Sequence, residues 1–274
     1  MSAADAEPAR RLRTRILAED RPVFGAWLGV PSRELLDGFA ASALDYIGID
    51  CQHGTLSENE AARLMSSAGP AAAARLVRVS ANRPELIGKV LDGGADGVIV
   101  PTVNSACEAR DAVLAGQYPP DGLRSYGVMA RYLPRDPSAL QSRTLILPMI
   151  ETVAGLEAVT EILAVSGVDG VYVGPADLGI SLGLGHSQFP AGPELESALR
   201  SVVDAGRSAG KIVGIHAGSE LYAPRYTELG FRLLTLGTHQ SFISAGVDSA
   251  LGVAGAEAGV RDNGPRDRRG DSPY

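Results

Sequence analysis

Gly174-Pro175-Ala176-Asp177-Leu178 follows directly on the short apolar run 170–173, and this junction sets the reading of the chain. Two other junctions share its grammar: Glu151 follows the run 145–150, and Asp50-Cys51-Gln52-His53-Gly54 follows the run 46–49. Two carboxylates and one imidazole therefore stand just past three β-prone segments. In a barrel of parallel strands the C-terminal strand ends share one face, and that face carries the active site. Carboxylates without cysteine or histidine clustering suit a hard divalent cation such as Mg2+ or Mn2+.

Outward from these junctions, five more β-prone runs can be marked, at 23–28, 76–79, 98–100, 212–215 and 233–236. Helical spacing lies between them. Segment 32–43 carries Leu35, Leu36, Phe39 and Ala43 on one face; 84–91 follows Asn82 as expected N-cap; 154–165 and 195–209 are similar. Strand–helix alternation implies a parallel sheet with right-handed crossovers, and eight units predict a closed TIM-type (β/α)8 barrel of one domain, residues 21–253. An open doubly wound sheet is the alternative, although no G-x-G-x-x-G follows the first run. Residues 1–20 read as an N-terminal arm or helix, and 254–274, rich in Arg, Asp, Gly and Pro, as a disordered tail. The segment 115–143 is too long for a simple connection and is expected to be a functional loop.

Composition narrows the function. The 274 residues carry a net charge of −7, which argues against general nucleic-acid binding but not against a small anion held by a local arginine. Two cysteines make no disulfide framework and fit a reducing cytoplasm. No apolar stretch reaches the roughly 18 residues of a membrane span, and no secretory signal is visible.

Glu151 and Asp177 are the expected metal ligands, with waters and a chelating substrate completing the shell. The backbone N–H groups of Ala176 and Asp177 enter a helix and could hold a carboxylate. His53 is the expected proton-transfer group, with Asp50 orienting its imidazole. Arg78 sits inside an apolar run with no acid beside it in sequence, so its expected partner is the substrate. Asp92, before a Gly pair, reads as structural, and Cys51 as a small buried side chain. His186, His216 and His239 form no zinc-type spacing. No lysine ends a strand, which disfavours a Schiff base.

Taken in order, these motifs resemble the HpcH/HpaI family of metal-dependent class II pyruvate aldolases. Phe24-Gly25-Ala26-Trp27-Leu28 opens the resemblance, which runs to about Gly237. Asp50, His53 and Gly54 match its Asp-x-Glu-His-Gly signature, and Arg78 its V-R-V. The segment from Ile87 to Ala95 is similar to its I-K-x-x-L-D-x-G-A, and Pro119 to Arg124 to its P-P-x-G-x-R-G, with Ser125 in place of the last Gly. Ile150-Glu151-Thr152 matches its metal glutamate, and Gly174-Pro175-Ala176-Asp177-Leu178 its metal loop.

The resemblance implies a lyase that makes or cleaves a bond between a 2-oxo acid enolate and an aldehyde, using Mg2+, Mn2+ or Co2+. Decarboxylation, acyl-CoA cleavage, or keto-acid binding without turnover are the alternatives. It implies metal binding by Glu151 and Asp177. A donor pocket of Arg78, Gly174, Pro175, Ala176, Asp177, Trp27 and Gln52 follows, with His53, Arg78, Asp50 and Asp92 catalytic. Asp92 would act across a subunit interface of a homo-oligomer, trimer-based or hexameric, with an exchanged C-terminal helix. Two departures stand out. Gln52 replaces the usual Glu, and Gly237-Thr238-His239-Gln240 replaces a usual Asp near the end of the eighth strand; that loop is expected to touch the acceptor or a neighbouring subunit.

Overall fold

Each of the eight apolar runs is a strand: β1 (Val23–Leu28), β2 (Tyr46–Asp50), β3 (Ala74–Arg78), β4 (Gly97–Val100), β5 (Leu145–Ile150), β6 (Gly170–Val173), β7 (Ile212–His216) and β8 (Leu233–Thr238). In the computed structural model, which describes residues 8–185 and 192–255, they pair in parallel in sequence order and close into one barrel. The expected tail falls mostly outside the described residues, as do the first seven residues and His186.

The barrel interior is filled by rings that face glycines. A Cβ on Gly48 would run into the Trp27 indole, one on Gly25 into the Tyr46 ring, and one on Gly214 into Tyr172. Trp27 pairs with Gly48, and Gly25 with Tyr46, across the β1–β2 register. The Tyr46 and Tyr172 hydroxyls both meet Thr235 Oγ1, at 2.8 and 2.6 Å, so these buried polar tips are satisfied. The expected arm is α1 (Pro8–Arg13) continued by a π-helical turn (Thr14–Ala18); its Ala9, Leu12 and Ile16 join the same interior cluster and close the base.

A second apolar layer lies between the barrel and its surrounding helices. These include α2 (Arg33–Ala40), α3 (Glu58–Ala68), α4 (Pro84–Asp92), α5 (Ala106–Gly116), α6 (Pro137–Ser142), α7 (Val153–Glu157) and α8 (Val159–Ala164). They continue with α9 (Pro175–Ser181), α10 (Pro193–Ala209), α11 (Ala223–Leu229) and α12 (His239–Val253). Starts follow capping chemistry: Ser32 accepts from the Leu35 amide, and Ser57 with Glu60 forms a capping box. Asn82 does not cap α4. Arg83 occupies the N-cap position and makes no side-chain cap, while Asn82 Nδ2 donates to Glu108 O across to α5 at 2.9 Å. The helix expected over 154–165 is broken at Ala158 into α7 and α8.

The long segment after α5 joins a helix end to a strand start, which places it at the base rather than at the mouth. It wraps the end of α4: Met129 N donates to Asp92 O at 2.9 Å, and Arg124 Nη2 to Asp92 Oδ1 at 2.6 Å. Arg124 also lies over the Tyr118 ring at 4.7 Å. Among the described residues no helix is long and apolar enough to cross a membrane.

Candidate active site

Asp50 and Arg78 stand opposite each other in the β2–β3 register, at the last position of each strand. Arg78 Nε donates to Asp50 Oδ1 at 2.8 Å and Nη2 to Oδ2 at 2.7 Å, with both side chains buried. Arg78, whose expected partner is the substrate, thus also has a partner within the chain. The acid is 28 residues away in sequence but adjacent across the ladder. The Trp27 indole also donates to Asp50, and the Arg78 guanidinium lies over the Trp27 ring at 5.3 Å. Burial opposes ionisation of Asp50, but hydrogen bonds and charge from Arg78 outweigh it and hold the carboxyl below its ordinary range.

Asp50 Oδ1 accepts from the backbone amides of Gln52 at 3.0 Å and His53 at 3.4 Å. These two bonds shape the loop that carries His53. Gly54 is required in that loop, since a Cβ would collide with the carbonyls of Asp50 and Gly29. His53 faces a cavity of about 180 Å³ beside Trp27, Gly29 and His239. Burial and the charge of Arg78 lower its pKa, against the pull of Asp50 and Asp177.

Glu151 extends from the end of β5 and is buried. Its Oε1 accepts from Thr102 N at 2.6 Å and Thr102 Oγ1 at 3.0 Å. Its Oε2 lies 3.1 Å from where a Gly174 Cβ would stand, so the glycine leaves room for the carboxylate. Burial raises the Glu151 pKa; Thr102 opposes this and the like charge of Asp177 adds to it. Asp177 lies in the first turn of α9, with Gly174 at its N-cap and Pro175 in its first turn. A hard cation would relieve both the burial of Glu151 and its repulsion from Asp177. Two carboxylates are a donor set that Mg2+ uses. Among the described residues no cluster of three or more His, Cys, Asp or Glu offers another metal site.

Sequence reasoning missed Thr102 and His216. Thr102 has φ of 54°, an uncommon conformation for a β-branched residue, and nothing in its sequence setting announces that. His216 did have a signal: it directly follows the apolar run 212–215, as Asp50 follows the run 46–49. It packs edge-on against Trp27, ring centroids 5.2 Å apart, and its Nε2 is buried without a partner. Burial, assisted by Arg78, lowers its pKa to about 4. Gln52 Oε1 and His239 Nδ1 are likewise buried and unpartnered. Cys51 is buried as expected, and burial pushes its thiol pKa up. Asp92 is not brought to His53 within one chain. It ends α4 at the base, paired with Arg124, and burial raises its pKa against that pairing.

One mouth of the closed parallel barrel thus gathers Glu151, Asp177, the clamped Arg78 and His53. The model of the HpcH/HpaI aldolase/citrate lyase family matches residues 24–255. The 4-hydroxy-2-oxo-heptane-1,7-dioate aldolase of Klebsiella pneumoniae is 36% identical over 248 residues, spanning 88% of this chain and 89% of its own. A solved HpcH/HpaI aldolase/citrate lyase family protein from Burkholderia cenocepacia superposes with TM-score 0.80 at 31% identity, over 89% of this chain and 98% of its own. An HpcH/HpaI aldolase from Desulfitobacterium hafniense gives TM-score 0.77 at 27% identity, over 90% and 97%. The chain belongs to the HpcH/HpaI aldolase/citrate lyase family, and it is a carbon–carbon lyase.

Proposed function

We propose that the protein is a divalent-metal-dependent aldolase that joins the enolate of a pyruvate-type 2-oxo acid to an aldehyde, or runs the reverse cleavage. The Arg78 guanidinium, fixed by Asp50 and Trp27 at the mouth that Glu151 and Asp177 share, carries this reading. A cation held by Glu151 and Asp177 would supply Lewis-acid polarisation of the donor's keto oxygen. Arg78 sets a fixed positive charge beside the negative charge that develops on the donor, and its pairing means the charge is already in place before reaction. The Ala176 and Asp177 amides, in the first turn of α9, would receive the donor carboxylate. Gly174 and Pro175 shape that turn, while Trp27 and Gln52 wall the donor. In condensation the donor loses a C3 proton, C3 bonds to the aldehyde carbon, and the aldehyde oxygen gains a proton. His53, its pKa lowered, is placed to carry that proton.

The chain's two lysines, Lys89 and Lys211, lie away from the mouth, which supports a metal enolate over a Schiff base. The His53 cavity of about 180 Å³ suits a short aldehyde and not an acyl-CoA. We read the protein as a cytoplasmic homo-oligomer acting on small molecules. Exposed Ile243, Val247 and Leu251 on α12, and Leu123, Tyr126 and Met129 in the base loop, support subunit contact. In that assembly Asp92 would approach the His53 of a neighbour. The deciding experiment is pyruvate with an aldehyde panel, with and without Mn2+. Condensation should vanish in EDTA and return with Mg2+, Mn2+ or Co2+; full activity at a metal content shown to be nil would sink the metal requirement.

A further inference from the structure

Resting on the aldolase reading, we infer that His239 reads a neutral hydroxyl on the acceptor aldehyde, so that the acceptor is a short hydroxyaldehyde rather than an aldehyde acid. Four observations carry this. His239 is 9% exposed, and its Nδ1 is buried with no hydrogen-bond partner. It lines the same cavity as His53, the group assigned to the aldol hydroxyl, with Trp27 on the neighbouring strand β1. The remaining polar lining beside it, Thr55, Thr238 and Gln240, consists of neutral hydrogen-bonding groups. Among the described residues no lysine or arginine lines the cavity, whereas the Asp50 carboxylate does.

An unpartnered buried imidazole nitrogen costs free energy until something bonds to it. A substrate hydroxyl can donate to it or accept from it, whichever tautomer is present. A carboxylate in the same place would find no lysine or arginine among the cavity's described lining, since the neighbouring Arg78 is already paired with Asp50. The volume of about 180 Å³ accommodates an acceptor of a few carbons. This sets the chain apart from its aldolase relatives, whose named substrate bears carboxylates at both ends. The His239 ring lies 3.8 Å from where a Gly29 Cβ would stand, so Gly29→Ala narrows the cavity without changing its polar atoms.

Three two-carbon aldehydes test the inference with pyruvate and Mn2+: glycolaldehyde, acetaldehyde and glyoxylate. In the unmodified enzyme KM for glycolaldehyde should lie about tenfold or more below that for acetaldehyde. His239→Leu should bring the glycolaldehyde-to-acetaldehyde ratio of kcat/KM near one, and His239→Asn, which keeps a polar atom near Nδ1, should restore part of it. Gly29→Ala should lower kcat/KM for both and keep their ratio. Equal KM values in the unmodified enzyme overturn the inference without any variant. So does a His239→Leu penalty that falls mainly on glyoxylate, which would make His239 a carboxylate reader. Deuterium exchange at the pyruvate methyl needs no aldehyde and reports enolate formation alone. Exchange without discrimination among aldehydes overturns the role of His239 only; neither exchange nor condensation overturns the aldolase reading and this inference with it.

Discussion

The base and the mouth of the barrel differ in how they use their buried polar groups. At the base, Asp45, Asp96 and Asp169 each stand just before an even-numbered strand and repeat one device. One oxygen accepts the backbone N–H of Phe24, Arg75 or Ile146 on the preceding strand, at 2.9, 2.9 and 2.8 Å. The other oxygen takes an arginine: Arg15 on Asp45, Arg143 on Asp96, and Arg13 on Asp169. Both oxygens of each carboxylate are therefore engaged. At the mouth, Gln52 Oε1, His216 Nε2 and His239 Nδ1 are buried and unpartnered, and Glu151 is buried beside another carboxylate. Buried polar groups are normally paired, and each exception costs about 1–3 kcal/mol. The three paired aspartates tie the base together, where Arg75 Nε, Tyr118 Oη and Arg124 Nε are nevertheless buried without a partner; at the mouth the unpartnered atoms lie around the catalytic cavity, where a ligand can meet them.

Arg78 belongs to both regimes, being paired like a base residue yet placed at the mouth, and Arg78→Leu should give the largest effect. It strands Asp50 in a buried site, so unfolding free energy should fall by about 3–5 kcal/mol and pyruvate condensation should be lost together. A stable, inactive variant would instead assign Arg78 to the substrate alone. Asp96→Ala should cost about as much stability, read by denaturant midpoint, while KM for pyruvate holds. A raised KM with unchanged stability would break the division between the two ends. His53→Ala is the mirror case: a fall of about 10²–10⁴ in kcat with little change in melting temperature.

A smaller effect separates the mouth by pH. His216 has a folded pKa of about 4, against about 6.5 when unfolded. Between those values the unfolded chain binds the extra proton, so this group's contribution is complete above about pH 6.5 and lost as pH falls towards 4. The loss amounts to roughly 3 kcal/mol. The difference in stability between the parent and His216→Phe should shrink over that window; a constant difference would mean that His216 is not held neutral. The smallest expected change is at Thr102. Thr102→Ala keeps the amide to Glu151 but removes the hydroxyl, and should weaken Mn2+ binding by about tenfold by titration.

Much of this molecule is local and can be read directly along the chain. Eight apolar runs at strand length, separated by helical spacing, determine the barrel and its order, and the residues just past the runs 46–49, 145–150 and 170–173 determine His53, Glu151 and Asp177. Periodicity and turn chemistry act over a few residues, so they are visible without coordinates. Pairing across the closed sheet is not. Asp50 meets Arg78 over 28 residues, Thr102 meets Glu151 over 49, and Arg13 meets Asp169 over 156. Strand register and barrel closure chose those partners. They turned an expected substrate arginine into half of an ion pair, left Asp92 at the far end from His53, and buried the nitrogens of His216 and His239 with nothing to bond. Burial is a property of the packed whole, and only the tertiary structure could decide which polar groups it would leave waiting.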